Sequence, residues 1–111
     1  TPYATLEYAT RQKLLQNSDI ISINIPLTKS TYYLIGEKEI KKMKNQTILI
    51  NVSRGEIVDT KALVKNLSKF KYICLDVLEG EDKYNFKNPL IRKLASSPKV
   101  LITPHIAFFT D

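Results

Sequence analysis

Tryptophan is absent from this 111-residue chain, cysteine and histidine occur once each, and glycine occurs only three times. Cys74 cannot close an internal disulfide, and with His105 as the sole histidine there is no Cys/His set for a structural zinc site, so no metal is expected. Such sparing use of cysteine suits a reducing, cytoplasmic setting. No apolar run approaches the roughly 18 residues that span a bilayer, and no membrane association is expected. The N-terminus, Thr1-Pro2-Tyr3, has neither an initiator Met nor the basic-then-apolar layout of a secretory signal, and it reads as cut. What remains is an ordinary globular composition, 43% hydrophobic and 25% charged, with length for one core and not for two.

Acidic residues are outnumbered, 11 against 17 Lys and Arg, which leaves a net charge of +6. A basic excess can mark phosphate binding, but only when it is concentrated. Here Lys38, Lys41, Lys42, Lys44, Lys61, Lys65, Lys69, Lys71, Lys83, Lys87, Lys93 and Lys99 are scattered, with no basic run interleaved with aromatics. A solvated lysine-rich surface is the expectation, and a nucleic-acid partner is not.

Apolar runs of strand length alternate with amphipathic stretches of helix length. Asp19 to Ile25 is a β-branched run stopped by Pro26, and Thr47 to Val52 is a second, stopped by the Ser53-Arg54-Gly55 turn. Tyr72 to Leu75 and Val100 to Ile102 complete the set. Arg11 to Asn17, Glu37 to Lys44 and Lys61 to Phe70 read as helices, the last with Leu63, Val64, Leu67 and Phe70 at helical spacing and Asp59 or Thr60 as its N-cap. Nearly continuous apolar strands predict a parallel sheet covered on both faces. The β-α-β-α-β order with right-handed crossovers predicts an α/β fold, half of a doubly wound sheet.

Ligands of such sheets gather beyond the carboxyl ends of the strands. The residues there are polar: Pro26-Leu27-Thr28, Ser53-Arg54-Gly55, Asp76 followed by Glu79-Gly80-Glu81, and Thr103-Pro104-His105. Each has an ordinary reading, as a solvated turn arginine, a loop histidine or a turn-capping carboxylate. Together they have a chemical one. An Arg offers a planar fork to a carboxylate, a His moves a proton near neutral pH, and a carboxylate beside it favours and orients the imidazolium. That set suits an acidic substrate and a proton transfer, but supplies neither a redox group nor a nucleophile, so a cofactor is required. Ser53 also raises a Ser/His/Asp hydrolase, but no Gly-x-Ser-x-Gly elbow is present.

Three segments carry a more specific signal: Ile50 to Asp59 (INVSRGEIVD), Leu75 to Glu81 (LDVLEGE) and Ile102 to Thr110 (ITPHIAFFT). In order and spacing they resemble the successive signatures of the NAD-dependent D-2-hydroxyacid dehydrogenases, and Ser18 to Thr28 resembles the segment before them. Leu-Glu-Gly-Glu after Asp76 and paired aromatics after His105 are most similar to the D-lactate dehydrogenase branch. The resemblance implies a Rossmann-like fold, NAD as cofactor and a small 2-oxo or 2-hydroxy acid as substrate. It implies that Arg54 binds the substrate carboxylate, that His105 is the acid and base, and that Glu81 pairs with it. Pro26, Val52, Ser53, Asp76 and His105 would contact the cofactor, with Asp76 and the Val52 carbonyl holding the nicotinamide carboxamide. Phe108 and Phe109 would shape the substrate pocket. A homodimer is implied for the complete enzyme.

One family feature is missing. Gly36, Gly55 and Gly80 are isolated, so no Gly-x-Gly-x-x-Gly loop receives a pyrophosphate. Residues 1–111 therefore read as part of an NAD-binding domain without its phosphate loop or a substrate domain, and inactive alone. A dinucleotide-sensing module of the same fold without turnover is the alternative.

Overall fold

A computed structural model describes residues 8–80 and 88–103 of the chain. Its four strands are β1 (Ile20–Ile23), β2 (Thr47–Asn51), β3 (Phe70–Leu75) and β4 (Val100–Ile102). All three pairings are parallel, and the order across the sheet is β1-β2-β3-β4. The helices are α1 (Arg11–Asn17), α2 (Glu37–Lys42), α3 (Thr60–Lys65) and α4 (Pro89–Ser96). With the strands in sequential order, right-handed crossovers place the connecting helices on one side of the sheet. There α1 touches α2, α2 touches α3 and α3 touches α4, forming a single row.

Local chemistry sets the helix ends. Thr10 Oγ1 accepts the Lys13 N–H at 3.2 Å to start α1, and the Asp59 carboxylate accepts the Lys61 N–H at 3.1 Å to start α3. At the head of α2, Gly36 has no side chain to give, but Glu39 reaches back to accept the Gly36 N–H at 3.0 Å, which is the return half of a capping box. Burial raises the Glu39 pKa, but that hydrogen bond and nearby positive charge outweigh it, and the net shift is downward.

Several element bounds differ from the expectation: β1 spans only Ile20–Ile23 and α2 ends at Lys42. Helix α3 stops at Lys65, because the Asn66 side chain turns back to the Ala62 carbonyl at 2.7 Å and the chain tightens into a 3-10 turn at Leu67–Lys69. Phe70, read as the last helical residue, is instead the first residue of β3 and is fully buried. Helix α4 was not anticipated at all. Asn88 caps it by accepting the Leu90 N–H at 2.9 Å, Pro89 occupies the first turn, and Ile91 and Leu94 face the core.

The core lies between the sheet and the helix row. Leu15, Ile40, Leu63 and Leu94, one from each helix, are buried with Leu49 and Ile73 of the central strands. The opposite sheet face is the more open one among the described residues. Residues paired across the strands share a face, and there Ile20, Tyr72 and Leu101 keep 50–60% of their surface exposed, with Ile48, Ile50 and Cys74 half-buried beside them. Among the described residues no helix is long and apolar enough to cross a membrane.

Candidate functional site

The carboxyl edge of the sheet is built around Asn51, the last residue of β2, which is fully buried. Its side-chain amide donates to the Arg54 carbonyl at 2.9 Å, and its side-chain oxygen accepts the Ser53 N–H at 3.1 Å. One side chain thus uses both ends of its amide to fold residues 51–54 into a tight loop. The Asn51 backbone carbonyl also accepts the Asp76 N–H at 3.0 Å, so the ends of β2 and β3 are tied together.

Gly55 closes the loop from the other side. A Cβ placed there would lie 2.1 Å from the Leu78 carbonyl carbon and 2.3 Å from the Glu79 nitrogen. The chain after β2 therefore runs against the chain after β3, backbone to backbone, and only glycine permits it.

Four of the residues singled out in the sequence come together here. Pro26, Val52, Ser53 and Arg54 line an open groove of about 400 Å³ with Asn24 and Ile25. The Ser53 hydroxyl donates to the Ile25 carbonyl, joining the loops after β1 and β2. Arg54 itself is exposed, free to meet an anion in solution. Asp76 is buried at the end of β3, where it accepts the Thr103 hydroxyl at 2.7 Å, and the Thr103 N–H donates to the Leu75 carbonyl at 2.9 Å. The carboxylate is thereby oriented from β4. Glu81, His105, Phe108 and Phe109 lie outside the described residues.

The edge has an apolar wall from Ile25 and Pro26, a buried carboxylate after β3 and an exposed guanidinium. An exposed guanidinium beside an apolar wall suits a ligand that carries a carboxylate. Among the described residues no group of three His, Cys, Asp or Glu side chains could hold a metal ion.

Asn51 and Thr103 carry no site role in the sequence, although Asn51 has a signal, an amide ending a β-branched strand before a Ser-Arg-Gly turn, and Thr103 follows a strand.

Residues 2–107 match the family model described as "D-isomer specific 2-hydroxyacid dehydrogenase, NAD binding domain". A D-specific alpha-keto acid dehydrogenase of Enterococcus faecium is 40% identical over 96% of this chain and 36% of its own length. A glyoxylate reductase of Thermococcus litoralis is 48% identical over 94% of this chain and 30% of its own. Among solved structures, the NAD-complexed D-isomer specific 2-hydroxyacid dehydrogenase of Lactobacillus delbrueckii ssp. bulgaricus superposes with a TM-score of 0.89 at 40% identity, covering 94% of this chain and 35% of that one. The chain thus spans about a third of the length of these relatives.

Proposed function

Because the chain belongs to the D-isomer specific 2-hydroxyacid dehydrogenase family, within its NAD-binding domain, we propose that it serves an enzyme reducing a small 2-oxo acid, pyruvate to D-lactate, with NADH. The observation that carries this reading is the groove shared by Pro26, Val52, Ser53 and Arg54, with the Asp76 carboxylate at the next strand end. Relatives named D-lactate dehydrogenase, at 37% identity in Treponema pallidum, support the choice of substrate.

The cofactor's nicotinamide, when bound, supplies the hydride. The chain's own residues do the rest. Pro26 and Ile25 give the adenine end an apolar wall, while Ser53 fixes the spacing of the two loops that flank it. Asp76 and the Val52 carbonyl would hold the nicotinamide carboxamide through its N–H groups. Arg54 holds the substrate carboxylate through its guanidinium fork, a geometry that lysine cannot reproduce. His105 delivers a proton to the substrate carbonyl oxygen, and takes one from the hydroxyl in reverse. Glu81 would pair with it and favour the imidazolium form. Residues 1–111 hold no Gly-x-Gly-x-x-Gly loop to receive a pyrophosphate, so these residues by themselves are expected to bind dinucleotide weakly. The native enzyme is placed as a cytoplasmic homodimer in the same proposal.

Pyruvate-dependent oxidation of NADH by the native protein, with chiral analysis of the product, tests this. D-lactate formation abolished by Arg54→Ala is expected. A rate with glyoxylate that exceeds the pyruvate rate by an order of magnitude would overturn the substrate assignment, and no rate with any 2-oxo acid would overturn the enzyme.

A further inference from the structure

The chain that leaves β3 is held along its length. The Asp76 N–H donates to the Asn51 carbonyl at 3.0 Å, and Gly55 packs against the backbone of Leu78 and Glu79. The Tyr33 hydroxyl donates to the Glu79 carboxylate, and the Gly80 N–H donates to the Glu56 carboxylate at 2.9 Å. With that backbone fixed, what Asp76 has left is rotation of its own side chain. The last torsion of an aspartate is broad, unlike a carbon chain confined to staggered wells, so the backbone alone does not set the plane of the carboxylate.

Thr103, the first residue after β4, meets that rotation. Its N–H donates to the Leu75 carbonyl at 2.9 Å, which seats its backbone beside the end of β3, and its hydroxyl donates to Asp76 Oδ1 at 2.7 Å. A β-branched side chain is stiff at χ1, so this hydroxyl is firmly aimed. Its acceptor is buried, where a hydrogen bond to a carboxylate is stronger than in water. A carboxylate accepts from several donors at once, so the Thr103 bond orients Asp76 without exhausting it. We propose that Thr103 is a positioning residue for the cofactor: it holds the Asp76 carboxylate in the orientation that accepts the nicotinamide carboxamide, and so contributes to the preference for a carboxamide at that ring position. This rests on the carboxamide contact given to Asp76 above.

The test is calorimetric titration of the native protein with NAD and with acetylpyridine adenine dinucleotide, whose methyl ketone replaces the carboxamide and offers Asp76 no N–H. Thr103→Val keeps the shape and the backbone N–H and removes only the hydroxyl. It is expected to weaken NAD about tenfold and the acetyl analogue by less than about twofold, and Thr103→Ser, which keeps a hydroxyl, to recover most of the loss. In an Asp76→Ala background Thr103→Val should cost nothing further, because the group it orients is gone. Equal losses for the two cofactors, no loss for either, or additive losses in the double variant would overturn the positioning role. An Asp76→Ala protein that prefers NAD over the analogue as strongly as the parent would instead overturn the role of Asp76, and the purpose of the contact with it. Should Thr103→Val fail to fold, Thr103→Ala removes the same hydroxyl and carries the same comparison.

Discussion

Replacing Gly55 by alanine is the sharpest perturbation this fold offers. The new Cβ would sit 2.1 Å from the Leu78 carbonyl carbon and 2.4 Å from the Leu78 oxygen. Carbon atoms settle at about 3.5–4.0 Å, so the two chains would have to part by more than about 1 Å. The obstructing atoms are backbone and cannot rotate aside, which places the cost at the upper end of overpacking, about 3 kcal/mol. For a domain of this size that is a fall in Tm of about 10–20 °C. Urea denaturation followed by circular dichroism reads the loss directly, with an unchanged m value showing that the unfolded state is not the cause. The other two glycines are internal controls. At Gly80 there is space but φ is +70°, so Gly80→Ala should cost about 1 kcal/mol of backbone strain. At Gly36 the nearest atom to a Cβ is 3.6 Å away and φ is −117°, so Gly36→Ala should cost only the difference between glycine and alanine at a helix N-cap, about 0.5–1 kcal/mol. If Gly55→Ala unfolds within about 0.5 kcal/mol of the parent, or costs no more than either control, the close approach of the two loops is refuted.

Asn51→Ala removes two side-chain hydrogen bonds from a buried site and should destabilise the fold by about 2 kcal/mol in the same denaturation assay; a loss below about 0.5 kcal/mol would show that the loop folds without it. On the proposed mechanism, Glu81→Gln should lower the pKa of His105 and move to lower pH the high-pH limb of pyruvate reduction, where the proton donor is lost, and an unmoved profile of kcat/KM against pH would rule out the pair. Glu39 has a folded-state pKa below its ordinary value of 4.5, so its contribution is complete above about pH 5 and is lost as pH falls through the lowered value. Stability measured from pH 6 down to pH 3 should therefore fall less steeply in Glu39→Gln than in the parent, and parallel curves would contradict the cap.

Much of this was legible in the residues themselves. Strands β1, β2 and β4 announce themselves as β-branched runs, and the turn that presents Arg54 follows from a strand stopped by Ser-Arg-Gly. Phe70 misled because a residue three positions after Leu67 fits a helical stripe as well as it fits a strand start. Its complete burial beneath the helix row decides between them, and burial is a tertiary property. Helix α4 had its signal in Asn88-Pro89 followed by Leu90, Ile91 and Leu94, hidden by the polar stretch ahead of it. The contacts of Tyr33 with Glu79 and of Glu56 with Gly80 join residues 46 and 24 positions apart, and no local pattern could have announced them.

The half-open sheet has a practical consequence. Cys74, the chain's only thiol, lies on the exposed face between Ile50 and Leu101, its partners across the strands. It is therefore a built-in reporter of that face. The rate at which a small alkylating reagent consumes one equivalent of thiol measures how bare the face is, and any chain segment or protein that comes to rest there would slow the reaction in proportion to the time it spends covering the sulfur.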